Sequence, residues 1–126
     1  RLCQDILGYI TPEAMALSAE RLGVPPARAE EVATFYVMLH TEPHGKYLLE
    51  VCTNVSCCLR GAEGLLAHLE NKLGIKSGGT TPDKKFTLRE VECLASCGTA
   101  PCMQINEDFA ENLNPAKVDQ LLAGLR

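Results

Sequence analysis

Hydrophobic positions in the first forty residues recur at helical spacing, whereas the remainder alternates between strand and helix periods. Thr11 before Pro12 and Glu13 reads as an N-cap with proline at the first helical position; Met15, Ala19 and Leu22 then share one face until Gly23 stops the helix. Pro25 and Pro26 restart the chain, and Val32, Phe35, Tyr36 and Leu39 fall at i, i+3, i+4 and i+7 of a second helix. Two short amphipathic helices gain stability only by burying their stripes. Simple core packing, a helix upstream of Arg1 or another subunit would each serve. The chain begins at Arg1 rather than Met and its first residues already read as helical, so an upstream segment is expected to have been removed.

From His44 the pattern changes. Lys46 to Cys52 (KYLLEVC) reads as a strand, rich in Tyr, Leu and Val. Ser56 is positioned to cap a long helix whose Ala62, Leu65, Leu66, Leu69 and Leu73 keep the helical period until Gly74. Ser77 to Lys85 (SGGTTPDKK) is loop chemistry, and Phe86 to Val91 reads as a second strand. Met103 to Asn106 and Phe109 to Glu111 suggest a hairpin, and Asn114 with Pro115 opens a last helix carrying Val118, Leu121, Leu122 and Leu125. The order is that of a reduced thioredoxin-like fold. The expected class is therefore α+β: a helical segment over 1–43, a truncated helical bundle, followed over 44–126 by a thioredoxin-like α/β domain with a mixed sheet.

Composition narrows the function. In 126 residues the chain holds 46% hydrophobic and 22% charged residues and a formal net charge of -4, which provides no basic surface for nucleic acid. No apolar run approaches the roughly 20 residues of a bilayer-spanning helix, and no signal peptide is evident. A cytoplasmic chain without direct membrane insertion is expected. No glycine-rich phosphate loop or nucleophile elbow appears, so no catalytic residue is assigned and catalysis would come from a partner.

Cysteine is the anomaly: there are seven, an odd number, and six lie between residues 52 and 102. Cys52 and Cys57 stand in C-T-N-V-S-C, and Cys93 and Cys97 in C-L-A-S-C, each pair at the end of an expected strand. Short loops leaving rigid strand ends let two thiolates converge on one metal atom. Two such pairs suit a 2Fe-2S cluster, whose oxidised core with four thiolates carries about -2, becoming about -3 on reduction. Backbone amides at the helix start near Ser56 and in the Leu94 to Gly98 loop are candidates to offset that charge. A structural zinc site also takes four cysteines, although its knuckles more often read C-x(2-4)-C on both sides. No C-x-x-C occurs, which removes the usual dithiol of an oxidoreductase, and a disulfide framework needs an oxidising compartment. Cys3 reads as a small buried hydrophobe, Cys58 as turned away from the pair beside it, and Cys102 as a lining residue or substitute ligand. His40, His44 and His68 lack the spacing of a Rieske-type centre.

These residues closely resemble the small thioredoxin-like 2Fe-2S subunit of NADH:quinone oxidoreductase, respiratory complex I. The likeness runs through Gly8, Tyr9, Thr11, Pro12 and Glu13, V-A-T-F-Y at Val32 to Tyr36, and V-C-T-N-V-S-C with Leu59, Arg60 and Gly61. It continues through T-T-x-D, F-T-L at Phe86 to Leu88, E-C-L-A-S-C and A-P-C-M-Q-I-N. The resemblance implies that Cys52, Cys57, Cys93 and Cys97 ligate one 2Fe-2S cluster exchanging single electrons with the FMN of a partner flavoprotein subunit, which also binds NADH. It implies a subunit of a translocase-type NADH:quinone oxidoreductase, in a heterodimer within a larger complex peripheral to the inner membrane. The N-terminal helices are then candidates to dock the flavoprotein. Similar subunits serve NAD-linked hydrogenases and formate dehydrogenases; in a different class, a structural zinc-binding assembly module is the alternative. Two positions depart from the family: Ala95, where glycine is frequent, and Cys102, where cysteine is unusual.

Overall fold

Tyr47–Cys52 (β1) and Phe86–Val91 (β2) lie side by side and parallel in the computed structural model, which describes residues 1–125. The chain divides into two compact units, Arg1–Pro43 and His44–Arg126.

The first unit holds Leu2–Leu7 (α1), Pro12–Leu22 (α2) and Pro26–Phe35 (α3). Thr11 caps α2, its hydroxyl accepting from the Ala14 amide at 3.1 Å, and Gly23 ends it at a φ of 66°. The second helix is shorter than its stripe implies: Tyr36 is already extended at φ -88° and ψ 119°, so Leu39 lies beyond it. Gln4 ties the segment back, its side chain donating to the Met38 carbonyl at 3.0 Å and accepting from the His40 amide at 2.7 Å. Within this unit only Gln4, Ile10, Ala19 and Ala33 are buried, whereas Leu2, Ile6, Leu17, Leu22, Val32 and Phe35 are exposed.

The second unit contains Val55–Leu59 (α4), Ala62–Leu73 (α5), Met103–Ile105 (β3), Asp108–Ala110 (β4) and Pro115–Gly124 (α6). The sheet order is β2-β1-β3-β4, with β1 and β3, and β3 and β4, antiparallel. A parallel pair requires a crossover, which α4 and α5 supply. The single long helix expected after Ser56 is two: Gly61 at φ 92° breaks it, and the cap is Asn54, whose Oδ1 accepts from the Val55 amide at 2.9 Å. Glycine adopts that left-handed conformation without the steric cost a Cβ would bring.

Alternation along β1 puts Leu49 and Val51 on the face shared with Leu88, Met103 and Ile105, where Leu65 and Leu69 of α5 and Val118 and Leu122 of α6 complete the core. Each such aliphatic side chain contributes roughly 1.5–3 kcal/mol on burial. The next residue, Cys52, belongs instead to a second buried cluster with Cys57, Ala62, Val91, Leu94, Ala100 and Cys102. Asn106 pins the start of β1, its Oδ1 accepting from the Leu48 amide at 2.8 Å. Gly45 passes so close to the β2 approach that a Cβ there would lie 2.9 Å from the Lys84 carbonyl oxygen. Among the described residues, no helix is long and apolar enough to cross a membrane.

Candidate metal centre

Cys52 is the last residue of β1 and pairs in parallel register with Val91, the last of β2. Both cysteine motifs therefore leave the same edge of the sheet from neighbouring strands, C-T-N-V-S-C running into α4 and C-L-A-S-C starting two residues beyond β2. A parallel register makes this obligatory, because equivalent ends of parallel strands lie together.

Cys52 and Cys57 are each 1% exposed, while Cys93 and Cys97 are exposed. The third member of the buried group is Cys102, fully buried, with its Sγ 3.9 Å from that of Cys57. The three sulfurs of Cys52, Cys57 and Cys102 all lie within 4.8 Å of one another. Cys93 and Cys97 are not in that group. Cys102 arrives through antiparallel pairing: Met103 opposes Val51, so the preceding residue falls beside Cys52, whose amide donates to the Cys102 carbonyl at 3.2 Å. Its position five residues beyond the second motif does not reveal this; the β1–β3 register does.

Backbone donors converge on the sulfurs. Burial pushes the Cys52 thiol up, but the amides of Asn54 and Leu94, aided by the neighbouring thiols, outweigh it and hold Cys52 below the ordinary range. Leu94 belongs to the second motif, so one loop's amide supports the other loop's sulfur. Burial, with the adjacent Cys52, raises Cys57, and burial with the Cys57 neighbour pushes Cys102 up to about 12. In the exposed loop the Ala95 amide donates to Cys93 Sγ at 3.3 Å. Ala95 stands at φ 58°, the left-handed region that favours glycine. Glu111 braces this loop, accepting from the Ser96 hydroxyl and from that of Thr99 at 2.8 Å. Both bonds hold its carboxyl below the usual range.

The remaining candidates are placed elsewhere. Cys58 directs its Sγ to the Thr53 carbonyl at 3.0 Å, and Cys3 lies 3.7 Å from the Ser18 hydroxyl. His68 bonds Asp119 at 2.8 Å, far in sequence from either cysteine motif. Thiols from the end of β1, from α4 and from the loop after β2, with amides directed at Cys52 and Cys93, are the donor chemistry that an iron-sulfur cluster takes. Donated hydrogen bonds and low solvent access are the means by which proteins stabilise such a charged group.

Residues 1–126 match the thioredoxin-like 2Fe-2S ferredoxin family. The chain is 48% identical over 125 residues to an E-type NADH-quinone oxidoreductase subunit of Rhizobium meliloti, covering 99% of this chain and 74% of that protein. To the corresponding NADH-quinone oxidoreductase subunit of Rickettsia prowazekii it is 47% identical, covering 91% of this chain and 65% of the relative. The chain therefore spans about two thirds to three quarters of these relatives' length. Among solved structures, an NAD+-reducing NiFe-hydrogenase superposes with a TM-score of 0.74 at 25% identity, over 90% of this chain and 20% of that one. A thioredoxin-like 2Fe-2S ferredoxin from Aquifex aeolicus superposes with a TM-score of 0.50 at 17% identity, over 60% of this chain and 76% of that one, a likeness of fold.

Proposed function

The chain belongs to the thioredoxin-like 2Fe-2S ferredoxin family, and we propose that Cys52, Cys57, Cys93 and Cys97 hold its one cluster in the NADH-oxidising arm of an NADH:quinone oxidoreductase. The partner in this reading is a flavoprotein subunit that binds FMN and NADH, with which single electrons are exchanged. The assembly is peripheral to a membrane, and this chain itself inserts no helix.

The observation that carries the proposal is the shared sheet edge, where the parallel pairing of Cys52 with Val91 brings the two cysteine loops out side by side. When bound, a 2Fe-2S cluster supplies a centre that takes up and returns one electron at a time. The chain's own residues bind and shield it. The buried Cys52 and Cys57, clustered with Ala62, Leu94 and Ala100, and the exposed Cys93 and Cys97 would hold it. The amides of Asn54 and Leu94 toward Cys52, and of Ala95 toward Cys93, supply partial positive charge where thiolate charge accumulates. An exposed side suits electron transfer, because the partner's cofactor must approach it.

A second reading, the equivalent subunit of an NAD-linked hydrogenase, draws on the superposition with the NAD+-reducing enzyme. An NAD-linked formate dehydrogenase would use the subunit in the same way.

Iron, acid-labile sulfide and zinc content of anaerobically purified protein, with electron paramagnetic resonance spectra before and after dithionite, test the proposal. Iron and sulfide in equal amounts at two per chain, with a spin-half signal only after reduction, is the expected result. Stoichiometric zinc without sulfide, and no reduced signal after anaerobic reconstitution, would overturn it in favour of a structural assembly module.

A further inference from the structure

Cys102 belongs to no cluster motif, yet it is the most deeply buried thiol of the centre at 0% exposure, beside Cys52 and Cys57 at 1% each. Three separate elements deliver these sulfurs: the end of β1, α4, and the segment entering β3. The Cys52 amide to Cys102 carbonyl bond, at 3.2 Å, fixes two of the three backbones to each other.

The spacing is that of donors to a single atom. A d10 ion bonded to thiolates at about 2.3 Å in a trigonal plane sets its sulfurs roughly 4.0 Å apart. Cys57 and Cys102 stand at 3.9 Å, and no pair in the trio exceeds 4.8 Å, so side-chain adjustments below an ångström close the site. No histidine or carboxylate joins the group among the described residues, leaving an all-sulfur donor set. The buried apolar residues that cluster with these thiols are Ala62, Val91, Leu94 and Ala100. Zinc prefers four donors, whereas soft thiolates in a dry site select cuprous copper.

We propose that Cys52, Cys57 and Cys102 form a trigonal all-sulfur site for one cuprous ion. Three copper-sulfur bonds form as three S–H bonds break, the protons pass to solvent, and copper is cuprous before and after, so no electron moves. Cys52 and Cys57 serve both this site and the proposed cluster, making the two occupants mutually exclusive. A chain that has taken copper cannot be loaded with iron and sulfide until the copper is removed. The site does not rest on the cluster reading, since Cys93 and Cys97 are dispensable for copper and Cys102 is dispensable for the cluster.

The test uses the full chain, stripped of metal under anaerobic reducing conditions and titrated with the cuprous acetonitrile complex against a competing cuprous chelator. Expected are saturation at one copper per chain, a single shell of three sulfurs in copper X-ray absorption, and refusal of iron and sulfide by the copper-loaded protein. Cys102→Ser, which keeps volume but removes the soft donor, should weaken copper binding on the order of a hundredfold while still accepting iron and sulfide. Cys102→Val is the companion variant should serine disturb folding. The double variant Cys93→Ser/Cys97→Ser should bind copper as the parent does and take up no cluster. Four sulfurs around copper, loss of copper binding in the double variant, or equal copper affinity with and without Cys102 would each overturn the site. Absence of a cluster in the parent, with copper binding as described, would instead refute the cluster reading and leave this one standing.

Discussion

The Cys52 sulfur belongs to the first cysteine motif, but the backbone amide directed at it from Leu94 belongs to the second. The two motifs are thus interlocked before any metal is considered: one loop's charge is supported by the other loop's dipole. Damage to either loop should therefore be felt across the whole centre, whereas the depth of each cysteine decides whether the fold feels it too.

Cys57→Ser and Cys97→Ser separate these effects. Both should abolish the cluster, read as iron and sulfide content. In the metal-free chain, urea denaturation should show Cys57→Ser destabilised by about 1–3 kcal/mol, because the more polar hydroxyl replaces a thiol inside a buried apolar cluster. Cys97 is exposed, so its serine variant should stay within about 0.5 kcal/mol of the parent. Equal losses at the two positions would contradict the burial difference.

Ala95→Gly should stabilise the chain. An L-residue at φ 58° bears a steric cost of roughly 1–2 kcal/mol, partly offset by the greater freedom glycine has when unfolded, leaving about 0.5–1 kcal/mol in favour of glycine. A higher urea midpoint with an unchanged slope is the expected readout. A lower midpoint would place Ala95 in an ordinary conformation.

Glu50 is a pH-dependent liability. It is 3% exposed, its Oε1 has no hydrogen-bond partner, and the Arg89 guanidinium stands 3.8 Å away. Burial raises its pKa despite Arg89 and His44. The native chain thus holds this proton more tightly than the unfolded one. Stability should fall as pH rises from the ordinary glutamate range through the raised native value, then stay low. Glu50→Gln should abolish that decline and be the more stable form near neutral pH, measured by thermal unfolding across a pH series. A parallel pH profile in the variant would show that Glu50 is not its source.

Glu111→Ala should loosen the exposed cysteine loop. The carboxylate accepts from Ser96 and Thr99 on either side of Cys97, and these bonds depress its pKa. Its stabilisation is present above the ordinary carboxylate range and is lost as pH falls through the depressed native value. Cluster release to a chelator should accelerate severalfold in the variant at neutral pH, and the parent should approach that rate in acid. Identical release rates at neutral pH would remove Glu111 from any such role.

Phe35→Ala should spare the second unit. Phe35 is 76% exposed and stacks edge-on with Tyr36 at 5.1 Å. Association with the proposed flavoprotein subunit should weaken while the spectrum of the isolated chain stays unchanged. Loss of the spectrum would make Phe35 part of the chain's own core.

The local code of this protein is written in its sequence, since caps, terminators and periodicity act over a few residues. Thr11 with Pro12, Asn114 with Pro115, and the glycines at 23 and 74 mark helix ends that the structure retains. The α5 and α6 stripes point to the core face for the same reason. The break at Gly61 was less legible, because the apolar spacing of Leu65, Leu69 and Leu73 starts only beyond that glycine and leaves the helix start unmarked. Likewise, the stripe of Val32, Phe35, Tyr36 and Leu39 is real as a pattern, yet α3 ends at Phe35 and leaves it largely exposed.

The two cysteine pairs, their spacing and their places after strands are properties of the linear chain, and so was the family resemblance. What only the tertiary structure decided is which thiols meet. The parallel β1–β2 register sets both motifs on one edge, and the antiparallel β1–β3 register carries Cys102 against Cys52 and Cys57. Those pairings join residues dozens of positions apart, and strand register is chosen by the burial of whole faces rather than by any short motif. Spacing could therefore name the thiols that fit a metal, but only the packed sheet could bring a third one among them.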